Sequence, residues 1–265
     1  MTLPTSMNAL VQLHDGYAGT QTGPNINDLS PYLARQEIPL PQPGQGQALI
    51  KVHLAAVNPS DIHFIKGEYG QPRVKGAPAG FEAVGEVVAG ETPLIGRRVS
   101  FFASGSGTWA EYALGDVNSL VPCRPDLAEV DAACQLVNPL TTIAMFDLVK
   151  ESRAESFVLN AAGSQLGKYL IALAKDNGVA PIAVVRRAEQ AAELCDLGAH
   201  TVIVSTQPDA LDQAQRAFRA LPPAILLDAV GDQFTADLFF AMPKHSTWVN
   251  YGKLATEAPQ LTELG

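Results

Sequence analysis

Cysteine is scarce in this 265-residue chain: Cys123, Cys134 and Cys195 are the full set. Three thiols without a C-x-x-C pair make neither a disulfide framework nor the clustered ligands of a structural zinc site. Positive charge is short as well, 18 Lys and Arg against 27 Asp and Glu, for a net charge of −9. A surface of that sign repels a phosphate backbone, so nucleic acid is not an expected partner. No apolar run approaches the about 18 residues of a membrane-spanning helix, and no membrane association is expected. The opening MTLPTSMNAL lacks the basic and apolar regions of a secretory signal. These absences leave a soluble, cytoplasmic globular protein as the expectation, long enough for about two domains.

What is present changes in texture near residue 127. Before it, glycine and proline punctuate short apolar runs, predicting strands at 8–13, 47–57, 83–89, 98–102, 109–114 and 119–121. The run IPLPQPGQGQ before the second of these reads as a connection. Residues 127–150 predict one or two helices, with Asp126 as N-cap and an interruption at Pro139. Beyond them strands (156–160, 181–185, 201–205, 224–227, 247–250) alternate with helices (164–175, 188–197, 209–220, 233–241). Such alternation predicts a parallel sheet covered on both faces, hence an α/β protein. The expected domains are a β-rich unit over 1–127 and a doubly wound, Rossmann-type unit over 128–265.

The junction SFVLNAAGSQLGKYLIALAK carries the first functional signal. A dinucleotide fold needs small residues where a strand turns into a helix, so that backbone N–H groups reach a pyrophosphate. In the G-x-G-x-x-G frame the chain supplies Ala162, Ser164 and Gly167, with Gly163, Gln165 and Leu166 between them. An acid that would hold the ribose 2′-hydroxyl of NAD belongs about 20 residues further on. Arg186 and Arg187 stand there instead, and a guanidinium pairs with the 2′-phosphate of NADPH. Two later loops follow strand ends, Asp228-Ala229-Val230-Gly231 and Asn250-Tyr251-Gly252. Val230, Tyr251 and Gly252 should face the nicotinamide half.

The ordered segments VNPSDIHFIKGEYG, PAGFEAVGEVVAG, GTWAEYAL, VNPLTTIAMFDLV and NAAGSQLGKYLIALAK resemble the medium-chain dehydrogenase/reductase superfamily. That resemblance implies a GroES-like β-rich catalytic domain followed by a Rossmann domain. Zinc-dependent members place a Cys ligand near Asn58 and a His beside the Glu of a G-H-E motif. Here Asn58-Pro59-Ser60-Asp61 and Gly80-Phe81-Glu82 stand in those places, and no metal is expected. The chain is similar to zinc-free quinone oxidoreductases and, more closely, to 2-enoyl thioester reductases. From the latter the resemblance implies that Tyr69 is the catalytic acid, with Asn58 and Trp109 near the active site. It also implies that Asn138 and Thr141 lie on the segment approaching the cofactor. Family members continue for several tens of residues past the position of Gly265, with a sixth strand and a return segment. A truncated protein is therefore expected, whose longer form is a homodimer.

Hydride from NADPH would reach the β-carbon of an enone, quinone or 2-enoyl thioester while charge grows on the carbonyl oxygen. Without zinc, hydrogen-bond donors such as a tyrosine hydroxyl must stabilise that charge. Two other readings stay open: quinone reduction without a catalytic tyrosine, and an NADPH-binding sensor or partner protein with little catalysis. Asp61 and Lys66 either orient the catalytic loop or form a solvated salt bridge. Lys66, Arg73 and Lys75 around Tyr69 read either as a solvated loop or as a site for coenzyme A phosphates. His53 and His63 have no third ligand at useful spacing and read as satisfied or solvated. Cys134 reads as a small core residue.

Overall fold

A computed structural model describes residues 2–261. The chain divides into two contact-dense units, Met1–Val137 and Asn138–Gly265. In the first, β1 (Ser6–Gln12) pairs antiparallel with β2 (Leu33–Pro39). Then follow β3 (Gln47–Ala55), α1 (Pro59–Ile65), β4 (Glu82–Gly90), β5 (Arg98–Phe102), β6 (Tyr112–Asp116), β7 (Val121–Pro122) and α2 (Glu129–Ala133). Strands β6-β3-β4-β5-β7 form one antiparallel sheet in that order. Ala48, Ile50, Val87, Val99 and Phe101 pack against one another with no exposed surface. Burying each of the larger of these side chains contributes about 1.5–3 kcal/mol.

Several expectations are corrected here. β2 lies where no strand was expected and takes in Ile38-Pro39, the start of the presumed connection. Its proline ends an edge strand, where a missing N–H costs nothing. Residues 59–65 form a helix inside the supposedly all-strand half. Pro59 fits its first turn, where an N–H would have no intrahelical partner, and the Asp61 carboxylate accepts the Asn58 N–H at 2.7 Å. Pro139 does not interrupt the helical region: the break falls before Val137, and α3 (Val137–Ser152) carries Pro139 in its first turn. Asp126 caps nothing, since its carboxylate takes the Arg124 guanidinium and Ala128 stands at the N-cap of α2. Ala132 and Ala133 of α2 pack with Val84 and Cys123, so the first unit runs to Val137, past the expected 127/128 division.

The second unit continues with β8 (Ser156–Leu159), α4 (Gln165–Asp176), β9 (Ala180–Val185), α5 (Ala191–Leu197) and β10 (Thr201–Val204). It ends with α6 (Ala210–Ala220), β11 (Ile225–Asp228), α7 (Gln233–Ala241) and β12 (Thr247–Asn250). The strands pair in parallel in the order β10-β9-β8-β11-β12. Every residue of β8 and β11 is buried, as a sheet covered on both faces requires. One core cluster gathers Phe157, Leu159, Leu170 and Ile171; another gathers Val158, Ile182, Leu226 and Leu238. Winding reverses between β8 and β11, and ligands of such sheets sit beyond the strand ends at that reversal. Among the described residues no helix is long and apolar enough to cross a membrane.

Candidate functional site

In the first unit the sequence placed Asn58, Tyr69 and Trp109 together, and the structure separates their roles. Asn58 is buried, and its side-chain amide donates to Glu82 Oε1 at 2.9 Å. Glu82 Oε2 accepts the N–H groups of Leu136 at 3.2 Å and Val137 at 2.9 Å. Asp61, with no exposed surface, accepts from Asn58 N and from Phe81 N at 3.0 Å. Burial pushes the Asp61 carboxyl up to about 6; the hydrogen bonds from Asn58 and Phe81 oppose this and the Glu82 charge adds to it. The Asn58 amide and the Glu82 carboxylate therefore satisfy each other. Among the described residues no group of three His, Cys, Asp or Glu could hold a metal ion.

Tyr69 is 41% exposed and leans on Phe81, ring centroids 5.3 Å apart, and edge-on against Phe64 at 6.5 Å. Phe64 and Phe81 complete the platform at 5.1 Å. No described residue hydrogen-bonds the Tyr69 hydroxyl, which leaves it open to a ligand. Trp109 is not a donor to any ligand: its one N–H goes to the Ala56 carbonyl at 2.9 Å, and its ring packs with Leu33, Ile62, Ile65 and Ala79. Gly80 (φ +94°) lets that indole approach, since a Cβ there would lie 2.4 Å from Trp109 Cδ1.

Two of the three cations around Tyr69, Lys66 and Arg73, are neither solvated nor free for a phosphate. Lys66 is buried, donating to the Gly23 carbonyl and, at 3.2 Å, to that of Asn25. Arg73 is buried too and donates to the carbonyl of Gly16 at 2.9 Å. Only Lys75 is exposed. Nor do Asp61 and Lys66 pair; the lysine faces Glu68 at 3.7 Å. Glu68 accepts Thr22 N at 2.7 Å, Thr22 Oγ1 at 2.9 Å and Gly23 N at 3.0 Å. Burial alone would raise its carboxyl, but the bonds from Thr22 and Gly23 and the Lys66 charge hold it below its ordinary value. Residues 66–73 are thus staples that fasten the 16–25 segment beside Tyr69. His53 pairs with Glu129 at 2.8 Å and His63 with Glu68 at 3.4 Å. Cys134 is only half-buried, its thiol turned to the Val130 carbonyl at 3.1 Å. Burial, then Glu82 and Asp131, push that thiol up.

In the second unit the turn after β8 is built as a phosphate cradle. Ser164 caps α4, its hydroxyl accepting Gly167 N at 3.1 Å. A Cβ on Gly167 would sit 2.4 Å from the Ala162 carbonyl oxygen, so only glycine lets the helix close on the strand. The N–H groups of Gln165 and Leu166 donate to no described residue, leaving the positive end of α4 open to an anion. Ala161 holds φ at 47°, a left-handed backbone that an L side chain adopts at a cost.

The loop after β9 lies beside this turn. Ala162 N donates to Val184 O at 3.1 Å, and the Gln190 amide lies over Gly163, where a Cβ would meet it at 2.2 Å. Arg186 and Arg187 are both exposed on that loop. Arg187 is drawn to Glu189 at 3.6 Å, whereas the Arg186 guanidinium pairs with no described acid. Asn138 and Thr141 lie in the first turns of α3, half-buried, the Asn138 carbonyl taking the Thr142 hydroxyl at 2.8 Å.

Val230, Tyr251 and Gly252 form a separate group around Asp228, the last residue of β11. Asp228 Oδ1 accepts Asn160 Nδ2 at 2.5 Å, Val230 N at 2.8 Å and Gly231 N at 2.9 Å. Its Oδ2 accepts Trp248 Nε1 at 2.9 Å and Asn250 Nδ2 at 2.8 Å. Tyr251 N and Gly252 N donate to the Asp228 carbonyl. Burial, then the Asp228 charge, push the Tyr251 phenol up, so it stays protonated. Asn160 also accepts Ala229 N at 2.7 Å and donates to Thr235 Oγ1 at 2.9 Å. Sequence reasoning missed this network, whose long-range links join residues 20 to 75 apart.

An antiparallel β-rich unit followed by a parallel sheet in this order defines a two-domain dehydrogenase architecture. The alcohol dehydrogenase GroES-like domain matches residues 44–125. A Mesorhizobium loti structure, provisionally named an NADPH:quinone reductase, is 46% identical with a TM-score of 0.94 over 98% of this chain and 78% of its own. The mitochondrial enoyl-[acyl-carrier-protein] reductase of Xenopus tropicalis is 29% identical over 85% of this chain and 67% of its own length. A mycobacterial structure complexed with NADPH is 26% identical, TM-score 0.78, over 97% of this chain and 76% of its own. The chain belongs to the medium-chain dehydrogenase/reductase superfamily. It spans 58–68% of the length of the mitochondrial enoyl reductases it matches.

Proposed function

We propose that the protein is an NADPH-dependent, zinc-independent oxidoreductase acting on an activated C=C bond in an enone, quinone or 2-enoyl thioester. The observation that carries this is the anion cradle at α4, with its open Gln165 and Leu166 N–H groups beside the unpaired Arg186. Ser164, Gly167 and the α4 N-terminus hold the pyrophosphate, and Arg186, with Arg187 near it, takes the 2′-phosphate. When bound, NADPH supplies the hydride. Tyr69 donates its hydroxyl proton toward the substrate carbonyl, steadied by the Phe64 and Phe81 rings. Asn58, held by Glu82, positions the start of α1 rather than coordinating a metal. Asn138 and Thr141 on α3, and Val230, Tyr251 and Gly252 around Asp228, serve the nicotinamide half. Pairing with a second copy belongs to the same proposal, as does a cytoplasmic location.

The name of the Mesorhizobium loti relative favours a second reading, quinone reduction that does not need Tyr69. A panel of enones, quinones and 2-enoyl thioesters, with NADPH and NADH consumption followed side by side, separates the two. Tyr69→Phe should lower thioester reduction by about 10²–10⁴ while NADPH binding holds. Quinone turnover untouched by the substitution, with no thioester turnover in the parent, selects the second reading. NADPH binding without turnover on any member of the panel selects a sensor.

A further inference from the structure

Asp228 has no exposed surface, yet all five groups that meet its carboxylate are neutral N–H donors. Among the described residues no Lys or Arg pairs with it. Five donors to an acceptor-only group define an ionised carboxylate, so a fixed negative charge is stored in the fold. Its place is specific. Asp228 ends β11, Asn160 follows β8, and the 2.5 Å bond between them spans the reversal of winding where the sheet presents its crevice.

We propose that the buried Asp228 carboxylate is a redox-biasing charge that favours the cationic oxidised nicotinamide over the neutral reduced one. The inference rests on the NADPH reading above and deepens it. A charge acts in proportion to what changes beside it, so both cofactor forms share the hydrogen-bond scaffold but only one gains from the anion. Tighter binding of the oxidised form makes the bound reduced cofactor a stronger hydride donor. The neighbouring Tyr251 phenol, pushed up first by its burial, is pushed up further by the same Asp228 charge.

Equilibrium titration of the whole chain with NADP⁺ and with NADPH, each on its own, reads this without turnover. Asp228→Asn keeps one acceptor and removes the charge, and Asn250→Lys sets an ammonium on Oδ2 from an exposed position. Each should raise the ratio Kd(NADP⁺)/Kd(NADPH) by about tenfold. A merely structural role would weaken both forms alike and leave the ratio fixed. An unchanged ratio in both variants overturns the inference while leaving the cofactor reading intact. If Asp228→Asn does not fold, the Asn250→Lys ratio decides alone. A parent chain that binds neither form overturns both.

Discussion

Asp61 should make the first unit less stable as pH rises through the range where most proteins are steadier. Its carboxyl sits at about 6 in the folded chain against an ordinary 3.8, which corresponds to about 3 kcal/mol. Between pH 4 and 6 the native state holds a proton that the unfolded state has released, so stability is full below about 4 and lost through about 6. Asp61→Asn removes the titration; it also turns an amide toward the Asn58 or Phe81 N–H, a fixed cost of about 1–3 kcal/mol. The stability of the parent relative to this variant should therefore fall by about 3 kcal/mol between pH 4 and 7. The chain has two tryptophans, one in each unit, so Trp109 fluorescence in a Trp248→Phe background reports urea unfolding of the first unit alone. Parallel pH profiles for parent and variant would refute the reasoning. They would mean that the hydrogen bonds from Asn58 and Phe81 cancel the burial in full.

Glu68 should behave in the opposite sense. Its carboxyl is held low, so its contribution is present above about pH 4.5 and lost as pH falls, and Glu68→Gln should flatten the acid arm of the urea-midpoint profile. Gly167→Ala forces a Cβ against the Ala162 backbone and should cost about 1–3 kcal/mol in thermal or urea unfolding, with NADPH affinity falling as well. Ser164→Ala removes the α4 cap and should cost about 1 kcal/mol by the same measurement.

The second unit was legible because each of its strands is a short apolar run closed by a turn signal. The first was less so. The strand β2, LARQEIP, has charged residues on an edge and shows no alternation to read. The helix α1 has seven residues, too few for a periodic stripe, and depends on Asn58, Pro59 and Asp61 acting together. Site residues followed the same division. Ser164 and Gly167 could be found by spacing, since a helix cap and a close strand–helix approach are local events. The Trp109 hydrogen bond was not legible in the sequence, because the carbonyl that takes its N–H belongs to Ala56, 53 residues away. Lys66 and Arg73 looked like surface charge because their partners are backbone carbonyls, which leave no mark in a sequence. Asp228 was seen as part of a loop, but three of its five donors, from Asn160, Trp248 and Asn250, reach it only when β8, β11 and β12 are side by side.

The central claim is that this chain holds NADPH through the α4 cradle and the Arg186 guanidinium. Titration of the parent and of Arg186→Glu with NADPH and with NADH tests it most directly. The parent should bind NADPH more tightly than NADH, and Arg186→Glu should lose that preference by tenfold or more, a charge-assisted pair being worth about 1.5–3 kcal/mol. Equal affinities in the parent, or an NADPH affinity indifferent to Arg186→Glu, would contradict it.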